Sequence, residues 1–320
     1  MRAARFHETG GPEQLQVESV PNPSPRPDEI LVEVRAIGVN PTEVYSREGD
    51  RDHPLPRIPG ADFAGIVESV GETVTDVEPG DRVFGTGLQN DRQGTYAEYV
   101  VARPRRYAVL PDEVSFEQGA AAGVVGTTAW LAFVEHARLT PTSTCFIHGG
   151  SGGVGHVAVQ TAKLCGATVV TTAGSEASRE FARECGADTV LDYARPDLLA
   201  TAQKIAPDGV DVVLDHRIGS YLQFDLEVLA PDGTVVVIGG PQDESRITDM
   251  WPAIRTDATV QVFAMSNEPD LGAVLEEVAV LLADGRLDIH IARRYDLEDA
   301  AAAQRAVIED SFHGKLIILP

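Results

Sequence analysis

The residues with the plainest chemical meaning form one run near the middle of the chain, Gly149-Gly150-Ser151-Gly152-Gly153-Val154-Gly155. Gly150, Gly152 and Gly155 fit the spacing G-x-G-x-x-G. The apolar stretch Thr144–His148 before them reads as a strand, and Val154–Cys165 after them as a helix with one apolar face. Between a strand and a helix each glycine has a reason. The first permits a tight turn, the second lets the backbone approach a pyrophosphate, and the third lets helix and strand pack closely. The head of the helix offers N–H groups without partners to the phosphate charge. Dinucleotide binding is the chemistry expected, with Ser151, Gly153 and Val154 supplying the rest of the loop.

The choice of dinucleotide lies about 20 residues further on, where an acidic residue would bind the ribose hydroxyls of NAD. The strand Val169–Thr172 runs instead into Ala173-Gly174-Ser175. Small residues leave room for a 2′-phosphate, and Arg179, one turn into the next helix, could meet it. The pattern favours NADPH and leaves NADH open. Ser175 can equally cap the helix while Arg179 is solvated, and Glu176 is an awkward neighbour for a phosphate.

These residues need a scaffold that alternates strand and helix. From Thr144 onward the chain supplies one: strands at Ala167–Thr172, Thr189–Leu191, Asp211–Asp215, Thr234–Ile238 and Thr259–Phe263, and a helix at Ser175–Cys185. Such alternation implies right-handed βαβ units and a doubly wound parallel sheet. The first 120 or so residues read differently. Arg2–His7, Leu15–Ser19, Ile30–Ile37, Ala61–Val70, Asp81–Gly85 and Thr95–Val101 are short strands between Gly and Pro punctuation, which suggests a barrel. After Thr259 come a helix (Leu271–Ala283), a strand (Ile289–Tyr295), a helix (Leu297–Ile308) and a last strand (Lys315–Leu319). That tail is too short to fold alone and is expected to return to the first domain. The expected domains are therefore 1–122 with 260–320, and 123–259 inserted between them.

Composition narrows the partners. The 320 residues carry a formal net charge of −23, and Lys163, Lys204 and Lys315 are the only lysines. The carboxylates are scattered, as on a folded, well-hydrated surface adapted to a salt-rich cytosol, where the Debye length shrinks to about 3 Å at molar salt. Nucleic acid is excluded as a main partner, because its binding rests on cations. No apolar run approaches the roughly 18 residues of a membrane span, and MRAARFHETGG is not a signal peptide, so a cytoplasmic location is expected. Cys145, Cys165 and Cys185 have no CxxC spacing and read as reduced, small hydrophobes.

Several blocks together resemble a known family. They are the block from FHETGG to SREG at 6–49, PGADFAGIVESVG at 59–71, PGDRVFG at 79–85, GTYAEYVV at 94–101 and HGGSGGVGHVAVQTAKLCGATVVTTAGS at 148–175. In that order they are similar to the zinc-independent quinone oxidoreductase (zeta-crystallin-like) branch of the medium-chain dehydrogenase/reductase superfamily. The resemblance covers essentially the whole chain. It implies a GroES-like β-barrel catalytic domain split around an inserted Rossmann domain, an active site in the cleft between them, and a homodimer built through the Rossmann domains. Zinc-dependent members place a ligand Cys where this chain has Asn40 and a ligand His where it has Ala61. His53, Asp62 and Glu68 lie nearby in spacing that matches no site, so no metal is expected.

The same resemblance implies roles. The segment beginning Asn40-Pro41 would line the nicotinamide pocket, with Asn40 or Tyr45 donating to a developing oxyanion and Arg47 beside them. Glu43 stands where the family often has Asp. Thr127 would supply a hydroxyl on the nicotinamide side, Tyr193 would approach the adenine end, and Gly239 would admit the nicotinamide. Lys315 would reach the cofactor phosphates or lie on the surface, and His216 would be a bystander. Plainer roles stay open for Asn40 as a helix start, Tyr45 as a core aromatic and Arg47 as a surface ion pair. Hydride transfer to a quinone is the expected reaction. Reduction of an enone, alkenal or enoyl thioester, and a non-catalytic NADPH-binding redox sensor, are the alternatives.

Overall fold

A computed structural model describes residues 1–50, 53–88, 92–239 and 244–320. It divides into two compact units, Met1–Thr127 with Glu268–Pro320, and Thr128–Asn267. The sequence reading set the joints at 122/123 and 259/260. No change of composition marks the first joint, because it falls inside one continuous helix. The second lies beyond the last strand of the inserted unit's sheet.

Unit 1 opens with β1 (Arg2–Arg5), β2 (Gln16–Ser19), β3 (Ile30–Val39), helix α1 (Pro41–Glu48), β4 (Asp62–Val70), β5 (Arg82–Gly85), β6 (Tyr99–Ala102) and β7 (Tyr107–Val109). Helix α2 (Phe116–Trp130) leads into unit 2 and ends in a π-helical turn over Leu131–His136. Unit 2 continues with β8 (Thr144–Ile147), α3 (Gly153–Leu164), β9 (Thr168–Ala173), α4 (Glu176–Glu184), β10 (Thr189–Asp192), α5 (Leu198–Ile205), β11 (Val210–Asp215), α6 (Ile218–Val228), β12 (Leu229–Val237), α7 (Trp251–Thr256) and β13 (Thr259–Val262). The chain then returns to unit 1 with α8 (Leu271–Ala283), β14 (Ile291–Asp296), α9 (Ala300–Glu309) and β15 (Lys315–Leu319).

The sheet of unit 2 has the strand order β10-β9-β8-β11-β12-β13. Every pairing in it is parallel. This is the doubly wound order in which ligands settle at the carboxyl ends of the strands, where the winding reverses between the first and fourth strands. Here that switch point lies between β8 and β11. The inner strands β8, β9, β11 and β12 are mostly buried, as expected where helices cover both faces, and Phe146, Val170, Val213, Leu226 and Val235 lie in the core.

Unit 1 is built on the long strand β3, which pairs antiparallel with β4 along most of its length, with β15 at Ile37–Val39 and with β6 at Ile30–Glu33. The sheet runs β14-β15-β3-β4-β5-β7, and only β14 and β15 are parallel. The return of the last 53 residues to this sheet supplies β15 and the buried face of α9, including Ala303 and Ala306. Helix α2 comes close to the sheet. A Cβ on Gly38 would lie 2.6 Å from the Ala120 carbonyl oxygen, and one on Gly123 would lie 2.4 Å from Asp62 Oδ1. Both positions exclude side chains because a helix backbone and a buried carboxylate meet there.

Candidate functional site

The glycine loop of unit 2 leaves β8 at His148 and enters α3 at Gly153. Gly149 has φ +70°, and its N–H donates to Thr172 Oγ1 while that of Gly150 donates to the Thr172 carbonyl. The turn is thus pinned to β9. A Cβ on Gly150 would meet Thr171 Oγ1 at 2.2 Å, and one on Gly155 would meet the Gly149 carbonyl oxygen at 2.0 Å. These two glycines are demanded by the fold itself. Gly152 differs: a Cβ there would touch only the Gly149 oxygen, at 3.4 Å, so open space lies in front of it. Beyond it the N–H groups of Gly153, Val154 and Gly155 head a 12-residue helix, where no preceding turn offers them carbonyls. Open space before a glycine, together with a row of helix-head donors, fits a pyrophosphate.

The end of β9 carries the groups expected to select the dinucleotide. Ser175 caps α4, accepting from the Ser178 N–H at 3.1 Å. Arg179 is not the free cation the sequence suggested. Its guanidinium donates to Glu176 Oε2 at 2.8 Å and to Asp192 Oδ2 at 3.2 Å. A 2′-phosphate would have to draw it away from one of these carboxylates. Tyr193, 52% exposed, lies against Gly174, where a Cβ would be 2.5 Å from the phenol oxygen. Gly239 has φ +74° at the end of β12, and its nearest neighbour to a built Cβ is the His216 carbonyl at 3.8 Å. His216 itself lies over Gly149, its Cε1 3.0 Å from that residue's would-be Cβ.

In unit 1 the sequence-predicted residues meet a buried network. Asn40 caps α1 and forms a reciprocal capping box with Glu43, Glu43 Oε2 accepting from the Asn40 N–H at 2.6 Å. The Asn40 amide nitrogen donates to Glu43 Oε1 at 3.1 Å and to Asp62 Oδ2 at 2.9 Å. Its amide oxygen accepts from Lys315 Nζ. The partners fix the amide's orientation, since two carboxylates need its N–H groups and an ammonium needs its oxygen. Both N–H groups are then committed, and the expected oxyanion donor has none left for a substrate. Lys315 is corrected with it. It is buried, 3% exposed, and also donates to the Val39 carbonyl at 2.8 Å, with Asp62 Oδ2 at 4.0 Å. It lies in the interior of unit 1 and not on the surface.

Burial and the neighbouring Asp62 charge push the Glu43 carboxyl up to about 7. Burial raises Asp62 against the pull of Lys315 and lowers Lys315 against the pull of Asp62 and Glu43. A raised carboxyl favours folding below its ordinary value, and that contribution is lost as pH rises through about 7. Asp62 is the partner that sequence reasoning missed as more than a stray carboxylate. Its signal was an acidic residue opening an apolar strand, Asp62-Phe63-Ala64-Gly65-Ile66-Val67.

Two other predicted residues also serve the scaffold. Arg47, its side chain 1% exposed, donates to Gln304 Oε1 at 2.7 Å and to the Gly10 carbonyl, so it clamps α1 to α9 and to the N-terminal turn. It does pair with Glu48 at 3.4 Å, as one plainer role had it, but from a buried position rather than on the surface. Thr127 is buried and its hydroxyl donates back to the Gly123 carbonyl at 2.8 Å. Tyr45 lies on α1 and is 38% exposed, so it is not a core aromatic. Among the described residues no group of three His, Cys, Asp or Glu side chains is placed to hold a metal ion. A concavity of about 490 Å³ in unit 1, lined by Pro21, Pro23, Leu55, Pro56, Tyr99 and Val101 among others, contains none of the predicted site residues.

Two tests separate scaffold from site. Gly155→Ala should destabilise the protein by about 1–3 kcal/mol through overpacking, whereas Gly152→Ala should stay within about 1 kcal/mol of the parent. Gly152→Ala should nonetheless weaken dinucleotide binding by about tenfold or more, roughly 1.4 kcal/mol; denaturant melts and titration calorimetry read the two effects. Lys315→Met leaves Asp62 buried without its cation and should cost about 3–5 kcal/mol of stability. Were the lysine a phosphate ligand instead, the loss would appear in the cofactor's Kd with stability intact.

Comparison with known proteins matches the two units in turn. Residues 26–112 match the alcohol dehydrogenase GroES-like domain, and residues 153–280 match the domain described as zinc-binding dehydrogenase. The chain is 35% identical to the quinone oxidoreductase of Mus musculus and 33% identical to that of Homo sapiens, over all of this chain and 98% of each relative. Among solved structures, Escherichia coli quinone oxidoreductase complexed with NADPH is 28% identical with a TM-score of 0.91, each chain covered in full. The quinone oxidoreductase of Pseudomonas syringae pv. Tomato DC3000 is 30% identical with a TM-score of 0.91, over all of this chain and 99% of that one. With identity above 30% running from end to end, the chain belongs to the quinone oxidoreductase family of medium-chain dehydrogenases/reductases and is an oxidoreductase.

Proposed function

We propose that this chain reduces a quinone with NADPH as the hydride donor and without a catalytic zinc. The observation that carries the reading is the glycine loop, in which Gly152 faces open space while its neighbours Gly150 and Gly155 are closed in by backbone and Thr171. Relatives bearing the quinone oxidoreductase name over their full length support the substrate class, and the Escherichia coli structure with NADPH supports the cofactor. Asn40 and Ala61, standing where zinc-dependent relatives carry Cys and His, support chemistry without the metal.

When bound, NADPH supplies a hydride from C4 of its nicotinamide. The chain's residues do the rest. Helix-head N–H groups from Gly153 to Gly155 hold the pyrophosphate, and Gly239 keeps the end of β12 free of a side chain. Ser175 and Gly174 shape the adenine side, with Arg179 drawn from Glu176 to a 2′-phosphate. Tyr45 is the exposed hydroxyl on the Asn40 helix and supplies the proton. Orientation and exclusion of water account for much of the rate.

The test is oxidation of NADPH at molar salt with a quinone in one reaction and an unsaturated aldehyde or enoyl thioester in another, NADH being run beside each. Turnover with the quinone is expected, and Tyr45→Phe should lower kcat by roughly a hundredfold. Turnover with the alkene alone would move the function to double-bond reduction. Binding of NADPH without turnover would make the protein a sensor.

The acidity and the near-absence of lysine support a salt-rich cytoplasm as the setting, and no helix is long and apolar enough to cross a membrane among the described residues. The assembly proposed is a homodimer through unit 2. Strand β13 ends the parallel sheet, and Val260 and Val262, alternate residues that share one face, are 41% and 63% exposed. Trp251 and Ile254 on α7 are 61% and 55% exposed. An uncovered edge with apolar side chains invites a second copy. Light scattering should give a dimer for the parent and a monomer for Val262→Arg combined with Trp251→Glu.

A further inference from the structure

The guanidinium of Arg179 has two carboxylate partners, and they are held very differently. Glu176, whose Oε2 accepts at 2.8 Å, lies three residues back on the same helix and is 71% exposed. Such pairs in water are weak and easily parted. Asp192, whose Oδ2 accepts at 3.2 Å, comes from another element, the last position of β10. Its second oxygen, Oδ1, accepts from the Ala194 N–H at 2.9 Å. That contact fixes the carboxylate with Oδ2 turned to Arg179. The Asp192 side chain is 40% exposed against 19% for Arg179, so the carboxylate keeps an open side.

The sheet register gives that open side a meaning. Strands β9 and β10 pair in parallel with Asp192 opposite Ala173, the last residue of β9. In a dinucleotide-binding sheet the acid that takes the ribose hydroxyls of NAD stands at that end of the second strand. Here the second strand is β9, and it ends in Ala173-Gly174. Nor is there room for an acid at Gly174, where a Cβ would lie 2.5 Å from the Tyr193 phenol oxygen. Asp192 brings a carboxylate to the same level from the neighbouring strand. Two carboxylates against one guanidinium leave this corner with an excess of negative charge. A hydroxyl finds an acceptor there, whereas a phosphate is repelled until Arg179 turns to it.

We propose that Asp192 is a specificity-determining residue that gives this chain NADH as a second cofactor, its carboxylate accepting from the 2′-hydroxyl of the adenosine ribose. In that state Arg179 stays on Glu176. With NADPH the exposed Glu176 releases Arg179 to the 2′-phosphate, and Asp192 steadies the guanidinium instead of binding the ribose. The same ion pair thus serves two ligands by breaking at a different arm for each. Neither cofactor is refused outright, because each finds one partner of the pair ready for it.

The inference rests on the reading of the glycine loop as a dinucleotide site, and the experiment keeps the two apart. Calorimetry at constant molar salt gives the Kd of NADPH, NADH and NADH lacking the 2′-hydroxyl of its adenosine ribose. The proteins are the parent chain, Asp192→Asn and Glu176→Gln. The asparagine keeps an oxygen for the Ala194 N–H and loses the charge. The parent should bind NADH about tenfold more tightly than the deoxy analogue, the worth of a hydrogen bond to a charged group. In Asp192→Asn that gap should close through a loss of NADH affinity, while NADPH affinity holds or rises. Glu176→Gln should tighten NADPH severalfold and keep the gap. An equal gap in the parent and Asp192→Asn would overturn the proposal. So would a parallel loss of NADH and NADPH in that variant, the mark of a merely structural role, or a parent that binds NADPH and not NADH. A gap that depends on Asp192 in a chain that binds no NADPH would overturn the NADPH reading and support this one. Binding of no dinucleotide by any of the proteins would overturn both. Melting shows that each variant is folded; should Asp192→Asn not fold, Asp192→Ser, whose hydroxyl also accepts from an N–H, takes its place and is read in the same way.

Discussion

Asp62 has no solvent exposure, and four other segments of unit 1 converge on its carboxylate. Thr86, just past β5, donates to Oδ1 at 2.6 Å, and the Val124 N–H of α2 donates to the same oxygen at 2.9 Å. Asn40, heading α1, donates to Oδ2, and Lys315 of β15 faces that oxygen at 4.0 Å. Asp62 itself opens β4. A buried carboxylate is tolerable only when opposite charge and donors surround it, so the elements that bring those groups have little freedom of placement. The close glycines follow from the same constraint, since any side chain at Gly38 or Gly123 would strike Asp62 or the helix backbone it holds. The chain's last strand is also explained. Without β15 the carboxylate would lose its only nearby cation among the described residues.

Unit 2 has a counterpart of opposite character. There the buried Asp225 meets His148, whose ring is lined by Phe146, Tyr221 and Phe224, and the buried Asp215 accepts from the Arg217 N–H. One site meets its buried carboxylate with an ammonium, the other meets Asp225 with an imidazole.

Most of the architecture was legible because the patterns were local. Strand–helix alternation after Thr144 and the glycine run produced the parallel sheet and its loop, and the strands of the sequence reading recur within a few residues. Thr95–Glu98 proved to precede β6 rather than belong to it. The helices that went unread have local causes. Phe116–Trp130 is apolar nearly all round and rich in Gly and Ala, so it shows little amphipathic period. Trp251–Thr256 is short and has proline near its head, which the chain spells like a loop, whereas the start of Pro41–Glu48 at Asn40 was among the readings left open. Functional side chains were harder to assign. That Asn40, Arg47 and Lys315 are near one another in the fold depends on partners 22 to 276 positions away, and no spacing rule in one sequence reports such partners.

Those distant partners decide what is left for chemistry on unit 1. Asn40 has both amide N–H groups on carboxylates, Thr127 has its hydroxyl on its own helix, and Arg47 has its guanidinium on Gln304 and Gly10. Residues that look like donors in the sequence are rivets of the wall. A site that must not reorganise when hydride arrives benefits from walls that cannot move. Quinones suit such a site, being electron-poor enough to accept hydride with modest polar help. On this reading the selectivity of the enzyme lies less in any single donor than in how rigidly α1 is pinned at both ends, by Asn40 at its head and Arg47 in its last turn. Tyr45 sits between the two pins and is 38% exposed.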